Sequence, residues 1–260
     1  MKKRNRTFVL LIVVSAFLLL VGVSVLAIPA FNRLANEAQA EHVVESFYRA
    51  YQPQKFDPVP ETEPEPMETQ ENLSGAATEP IYPELLAAMQ AYNEDIYGNK
   101  QSGLADPWCY TAPVFDLNDY GIASEAVGVL SIPKMEYEEP LYLGATMEHL
   151  EHGAAQLSIS SMPIGGVNTN CVIAGHRGWN GALHFRHIEL LEVGDEITLT
   201  NFWDTLHYDV VEIKTIEPYQ PEELLIQEGR DLLTLVTCHP YGSGGRYRYV
   251  VYCERVEKEV

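Results

Sequence analysis

The stretch TLVTCHPYGSGGRYRYV, residues 234–250, places Cys238 after the apolar run LLTLV and before the turn formers His239-Pro240-Tyr241-Gly242. A thiol where a strand runs into a turn lies at a rim. A substrate can reach it there, and a basic neighbour can raise its thiolate fraction. His176 holds the matching place in another apolar run, CVIAGHRG, with the small residues Gly175 and Gly178 on either side. Two such strand ends meeting at one barrel mouth would bring imidazole to thiol, as acyl transfer through cysteine requires. Arg246 and Arg248 are a third element: two residues apart, they share one face if the chain there is a strand. Arginine stays protonated and makes a poor base, but it can donate hydrogen bonds to a developing oxyanion. The competing reading is a buried thiol near solvated arginines, and local composition does not separate the two.

The elements that must position these residues are short strands. AVGVLSI, PLYL, NCVIAG, DEITLTN, HYDVVEI, LLTLV and YRYVVYCERV follow one another between about Ala126 and Val256, with Gly, Pro and Asn between most of them. Two helical pieces interrupt, MEHLEHGA at 147–154 and ALHFRHIELL at 182–191. Seven or eight strands in this span predict a mainly β fold, one closed barrel or sandwich with a sizeable core. Upstream, Leu85, Leu86, Met89 and Tyr92 predict a helix over 83–97. Residues 52–80 are rich in Pro and Glu with few large apolar side chains, the composition of a spacer. Phe31 to Tyr51 reads as a juxtamembrane helix.

The N-terminus differs in kind. Lys2, Lys3, Arg4 and Arg6 precede an uncharged apolar run of 21 residues from Phe8 to Ile28. That run can cross about 30 Å of hydrocarbon as a helix, and it exceeds the usual hydrophobic core of a cleaved signal. The basic residues stay in the cytoplasm by the positive-inside rule. A single-pass cell-membrane protein with its folded part outside the cell is therefore predicted. The formal charge of −20 argues against nucleic acid as a partner and suits solubility or a basic partner. Among Cys109, Cys171, Cys238 and Cys253 no pair has metal-ligand spacing, so no metal site is expected. Cys171 and Cys253, in apolar strand-like runs, read as buried free thiols. His149, His152, His184, His187 and His207 read as structural or solvated, although His184 and His187 follow the His176 loop closely enough to line a groove. His239 reads as a bystander beside the nucleophile.

Taken together, AGHRG, TLVTCHPYG and the terminal RYVV resemble the sortases, membrane-anchored transpeptidases of Gram-positive cell surfaces. The resemblance runs from Ala126 to Val256 and includes GVLSIPKM, SMPIGG and EVGDEI. TCHPYG looks like the TCTPYG of class C, the pilin-polymerising branch. Asp106-Pro107-Trp108, ahead of the first strand, resembles the lid of that class; Asp106 would pair with a basic group of the site and Trp108 would cover the Cys238 sulfur. No second apolar segment of the kind usual in class C occurs between the last strand and Val260.

The resemblance implies a sortase-type closed barrel of about eight strands with short helices, preceded by an N-terminal helical segment and the lid. The expected division is 1–6 cytoplasmic tail, 7–30 anchor, 31–80 juxtamembrane helix and linker, 81–125 helical segment and lid loop, and 126–260 catalytic barrel. It further implies that Cys238 attacks an LPxTG-like C-terminal sorting signal of a protein substrate to form a thioester. His176 would act as acid and then base, and an arginine would steady the oxyanion. The acceptor would be an amine, of a pilin lysine or of the cell wall, and no cofactor is needed. Counting back from ERV selects Arg248 as that arginine; Arg246 is the alternative, because counting forward from Cys238 leaves the loop one residue off either way. The rival functions are a wall-anchoring sortase, one acting mainly as a hydrolase, and a non-catalytic surface module that keeps the fold for binding.

Overall fold

Short runs buried on one or both faces build eight strands, as the computed structural model of the chain shows for residues 2–51, 80–102, 112–179 and 182–257. The strands are β1 (Ala126–Ile132), β2 (Tyr137–Leu143), β3 (Ala154–Gln156), β4 (Thr169–Ala174), β5 (Glu196–Asn201), β6 (Thr205–Ile216), β7 (Asp231–His239) and β8 (Tyr247–Val256). They close into a barrel in the order β1-β2-β3-β4-β7-β8-β6-β5. β2 pairs with β3, and β4 with β7, in parallel; the other pairs are antiparallel. The mainly β barrel with short helices matches the expectation.

The β4–β7–β8 wall is buried on both faces. Cys171 and Ile173 of β4, Leu233 and Leu235 of β7, and Val251 and Cys253 of β8 belong to the interior cluster. Their alternates Val172, Val236, Val250 and Tyr252 belong to a second cluster on the outer face, under Leu150 and Leu224. Because side chains alternate with a period of two, the outer face of this wall continues to position 238 on β7 and 248 on β8. Cys171 and Cys253 are buried free thiols, and burial pushes both thiols well up from their ordinary value.

Three details differ from the reading of the sequence. The apolar run and the segment after it form one continuous helix, α1 (Lys2–Tyr51), since the change of composition near residue 30 does not break the backbone. β3 occupies three residues that carry no legible periodicity, and helix α3 (Met147–His152) stops before it. The piece at 182–191 is a 3₁₀ segment, His184–Leu190, irregular at Phe185 and His187. Helix α2 (Pro83–Gly98) lies where expected and buries Leu85 and Met89.

The C-terminal part of α1 is part of the fold. Val44 and Phe47 are buried against the barrel, and the Phe47 ring stacks on Phe202 at 5.5 Å. The Tyr48 hydroxyl donates to Glu138 at 3.1 Å. Phe47→Ala is therefore expected to cost about 3–5 kcal/mol, the usual range for deleting a buried phenyl ring. Urea denaturation of the full chain in detergent checks this; a loss below about 1 kcal/mol would show that α1 does not dock.

Candidate active site

Backbone pairing assembles the site. Ala174, the last residue of β4, pairs with Val236 of parallel β7. The alignment continues past the strand end, where the Gly175 amide donates to the Val236 carbonyl at 3.2 Å and Thr237 Oγ1 donates to the Gly175 carbonyl at 2.7 Å. His176 and Cys238 thus follow the paired residues by the same two places. On the other side, Cys238 pairs directly with Arg248 of antiparallel β8. Directly paired residues project to the same face, so the thiol and the guanidinium share the outer face of the wall. Arg246 precedes β8 and lies exposed in the turn, so the two arginines do not share a strand face as expected.

Gly245 fits between these groups. Its φ is +82°, and a Cβ built there would lie 3.2 Å from Cys238 Sγ and 2.9 Å from Arg248 Nη1. Only glycine takes up that backbone freely and leaves that space to sulfur and guanidinium. Arg248 is held in place by its own turn: Nη1 donates to the Gly245 carbonyl at 2.7 Å and the Tyr247 carbonyl at 3.2 Å.

His176 is stacked on Trp179, ring centroids 4.7 Å apart and planes 18° from parallel. Its Nε2 is buried and has no hydrogen-bond partner among the described residues. Buried polar atoms are rarely left unpaired, and exceptions gather where chemistry is done. Desolvation lowers the pKa of His176, the neighbouring His184 lowers it further, and Glu151 opposes them. The imidazole is therefore mainly neutral at pH 7 and able to accept a proton.

Arg177, left without a role in the sequence reading, is almost fully buried. It forms an ion pair with Glu189 at 2.5 Å and donates through Nη1 to the Cys238 carbonyl at 3.4 Å. His239 Nδ1 lies 3.2 Å from Arg177 Nη1 and 3.3 Å from Glu189 Oε1, and the His239 ring packs against Tyr249. His239 and Tyr249 project to the face opposite Cys238, so this polar cluster backs the strand end that carries Cys238. His239 is thus part of a brace rather than a bystander. Gly175 answers a different need: a Cβ there would fall 2.7 Å from the Phe185 ring. Asp106 and Trp108, expected to form a lid, lie with Cys109 outside the described residues. His149 Nδ1 donates to the Gly144 carbonyl, 2.7 Å away, and His207 pairs with Glu196 at 3.0 Å, as structural histidines do.

The folded pKa of His176 is depressed, so below about 6.5 the unfolded chain binds more protons at this residue. Its contribution to stability is unpenalised above the unfolded value and worsens as pH falls through it. An NMR titration of the full chain should place the His176 midpoint below 6.5, the ordinary value. Trp179→Ala, by admitting water, should raise it. A wild-type midpoint at or above that value would contradict the burial argument.

Comparison with known proteins agrees with this geometry. The family model described as the sortase domain matches residues 130–256. Sortase D of Bacillus subtilis is 31% identical over 134 residues, covering 51% of this chain and 65% of that protein, so the match spans under two thirds of that relative. The solved structure of Group B Streptococcus Pilus Island 1 sortase C2 is 31% identical, covers 68% of this chain and 97% of that one, and superposes with a TM-score of 0.60. The lid mutant of Streptococcus agalactiae sortase C1 is also 31% identical, with 68% and 90% covered and a TM-score of 0.60. With a matching domain, a shared barrel and a thiol, imidazole and guanidinium brought to one strand-end region, the chain belongs to the sortase family and is most like its class C members.

Proposed function

We propose that the chain is a membrane-anchored cysteine transpeptidase that cleaves an LPxTG-like sorting signal through a thioester on Cys238 and passes the acyl group to an amine, a pilin lysine. The observation that carries this reading is the direct pairing of Cys238 with Arg248 on the outer face of the barrel, with His176 at the adjoining end of β4. Neutral His176 takes the thiol proton as sulfur attacks the Thr–Gly carbonyl, then hands it to the departing amine. Arg248 donates to the oxyanion. The pilin acceptor is supported by likeness to a sortase of a pilus island.

The anchor is the exposed apolar part of α1, whose most apolar window has a mean hydropathy of 3.1 and none of its surface buried. Arg4 and its neighbours hold the N-terminus in the cytoplasm and leave the barrel outside. Asp106 and Trp108 form a lid over Cys238, supported by likeness to a sortase for which a lid mutant has been made.

Because α1 packs on the barrel, the test uses the full chain in detergent. Incubation with an LPxTG-type peptide should add the acyl mass to Cys238, and Cys238→Ala should abolish the adduct. Trp108→Ala should speed its formation. No adduct from the wild type or from the lid variant would overturn the reading. Gly245→Ala would push Arg248 and the sulfur apart while leaving the core intact. It should cut peptide cleavage about a hundred-fold, the scale of an ångström's misplacement in an active site. Unchanged cleavage would remove Gly245 from the site.

A further inference from the structure

A second concave site adjoins His176. The cavity, about 280 Å³ and open to solvent, is lined by α1, β2, α3 and the segment at 182–187. Six glutamates line it, and no lysine or arginine does so among the described residues. Carboxylates alone would be an acidic surface in an acidic protein, but His184 adds an observation of a different kind. It lines the cavity and is 4% exposed, and its φ is +41°, uncommon for a residue other than glycine. Its Nδ1 lies 2.8 Å from Glu139, which fixes the proton on that nitrogen. Nε2 then carries a lone pair, and this buried acceptor has no donor among the described residues.

The segment that carries His176 also supplies cavity wall. Phe185, next to His184, donates its amide to the His176 carbonyl at 3.0 Å. Trp179, stacked on the His176 ring, bridges to Ala182, and Ala182 and Leu183 are cavity wall. The charge of Glu151 acts on His176.

We propose that this cavity is the subsite that receives the acceptor, a protein lysine ε-ammonium; the proposal rests on the transpeptidase reading above. A lysine amine is a cation at neutral pH, with three N–H donors on an apolar stem. Glu139 and Glu151 attract the charge, His184 Nε2 accepts one N–H, and Val44, Met135 and Tyr137 flank the stem. An amine on a carbon that also bears a carboxylate, as in diaminopimelate, would bring negative charge among the six glutamates and is disfavoured. In the reaction the ammonium loses one proton to water and its nitrogen attacks the thioester carbonyl. The C–N bond forms as the C–S bond breaks. The second proton passes through His176 to the departing sulfur, so thioester and amine become amide and thiol.

The test loads the full chain with an LPxTG-type peptide and offers a peptide with a single lysine, a diaminopimelate-bearing peptide, or hydroxylamine, which is uncharged at neutral pH. The ratio of transfer to hydrolysis is measured. For the lysine peptide, Glu151→Gln and Glu139→Gln should each lower that ratio about ten-fold, with Glu151→Lys lowering it further; for hydroxylamine the ratio should not follow. Glu151 lies on the surface of α3 and tolerates substitution if Glu139→Gln disturbs folding. An unchanged ratio in the Glu151 variants, an equal fall with hydroxylamine, or preference for diaminopimelate would overturn the subsite. Failure of the wild type to load would instead overturn the transpeptidase reading and this proposal with it.

Discussion

The site depends on the register of β7 between parallel β4 and antiparallel β8. With side chains alternating at a period of two, a slip of one residue in β7 would turn Cys238 into the barrel and bring Thr237 out. A slip in β8 would put Tyr247 or Tyr249 opposite the thiol in place of Arg248. Both slips are opposed by the core itself. Leu233, Leu235, Val251 and Cys253 fill the interior while Val236, Val250 and Tyr252 fill the outer cluster, so any slip exchanges the two sets against mismatched neighbours. The Cys238–Arg248 pairing at the strand ends is thus held by apolar packing in the middle of the wall.

The strand ends need their own fastening, because beyond the last ladder bond the chain is free to splay. Thr237 ties β7 to Gly175, and Arg177 ties the segment after β4 to the Cys238 carbonyl. A buried guanidinium is costly unless paired, and Glu189, itself half exposed, supplies the opposite charge from the far end of the same loop. The loop from His176 to Leu190 is therefore cross-braced by the Trp179 stack on His176 and the Arg177–Glu189 pair, and tied to its neighbours by the Arg177 bond to the Cys238 carbonyl and the His184–Glu139 contact at the acidic cavity. His176 and the acidic cavity are positioned by the same length of chain.

Much of this was legible in the sequence, for identifiable reasons. Strands showed because burial on one or both faces leaves period-two or continuous apolar runs, and Cys238 and His176 showed because each ends such a run. Pairing partners were less accessible. β3 is too short for any periodicity, and its parallel match to β2 exists only in the folded barrel. Arg177 and Glu189 sit in a loop, and nothing local marks two of its many polar residues as a buried pair. Gly245 is one of several glycines in a turn, and its requirement comes from sulfur and guanidinium approaching from two strands. The join between the apolar run and the following helix was missed because composition changes there and the backbone does not.

Register makes the most exposed claim: of two arginines two residues apart, the one opposite Cys238 serves the oxyanion. Turnover of an LPxTG-type peptide by Arg248→Ala and Arg246→Ala, measured side by side on the full chain, decides it. Arg248→Ala should lose about 10²–10³-fold in kcat, the scale of a lost oxyanion donor, with Arg246→Ala within a few-fold of wild type. A larger loss in Arg246→Ala, or equal losses in both, would contradict the account.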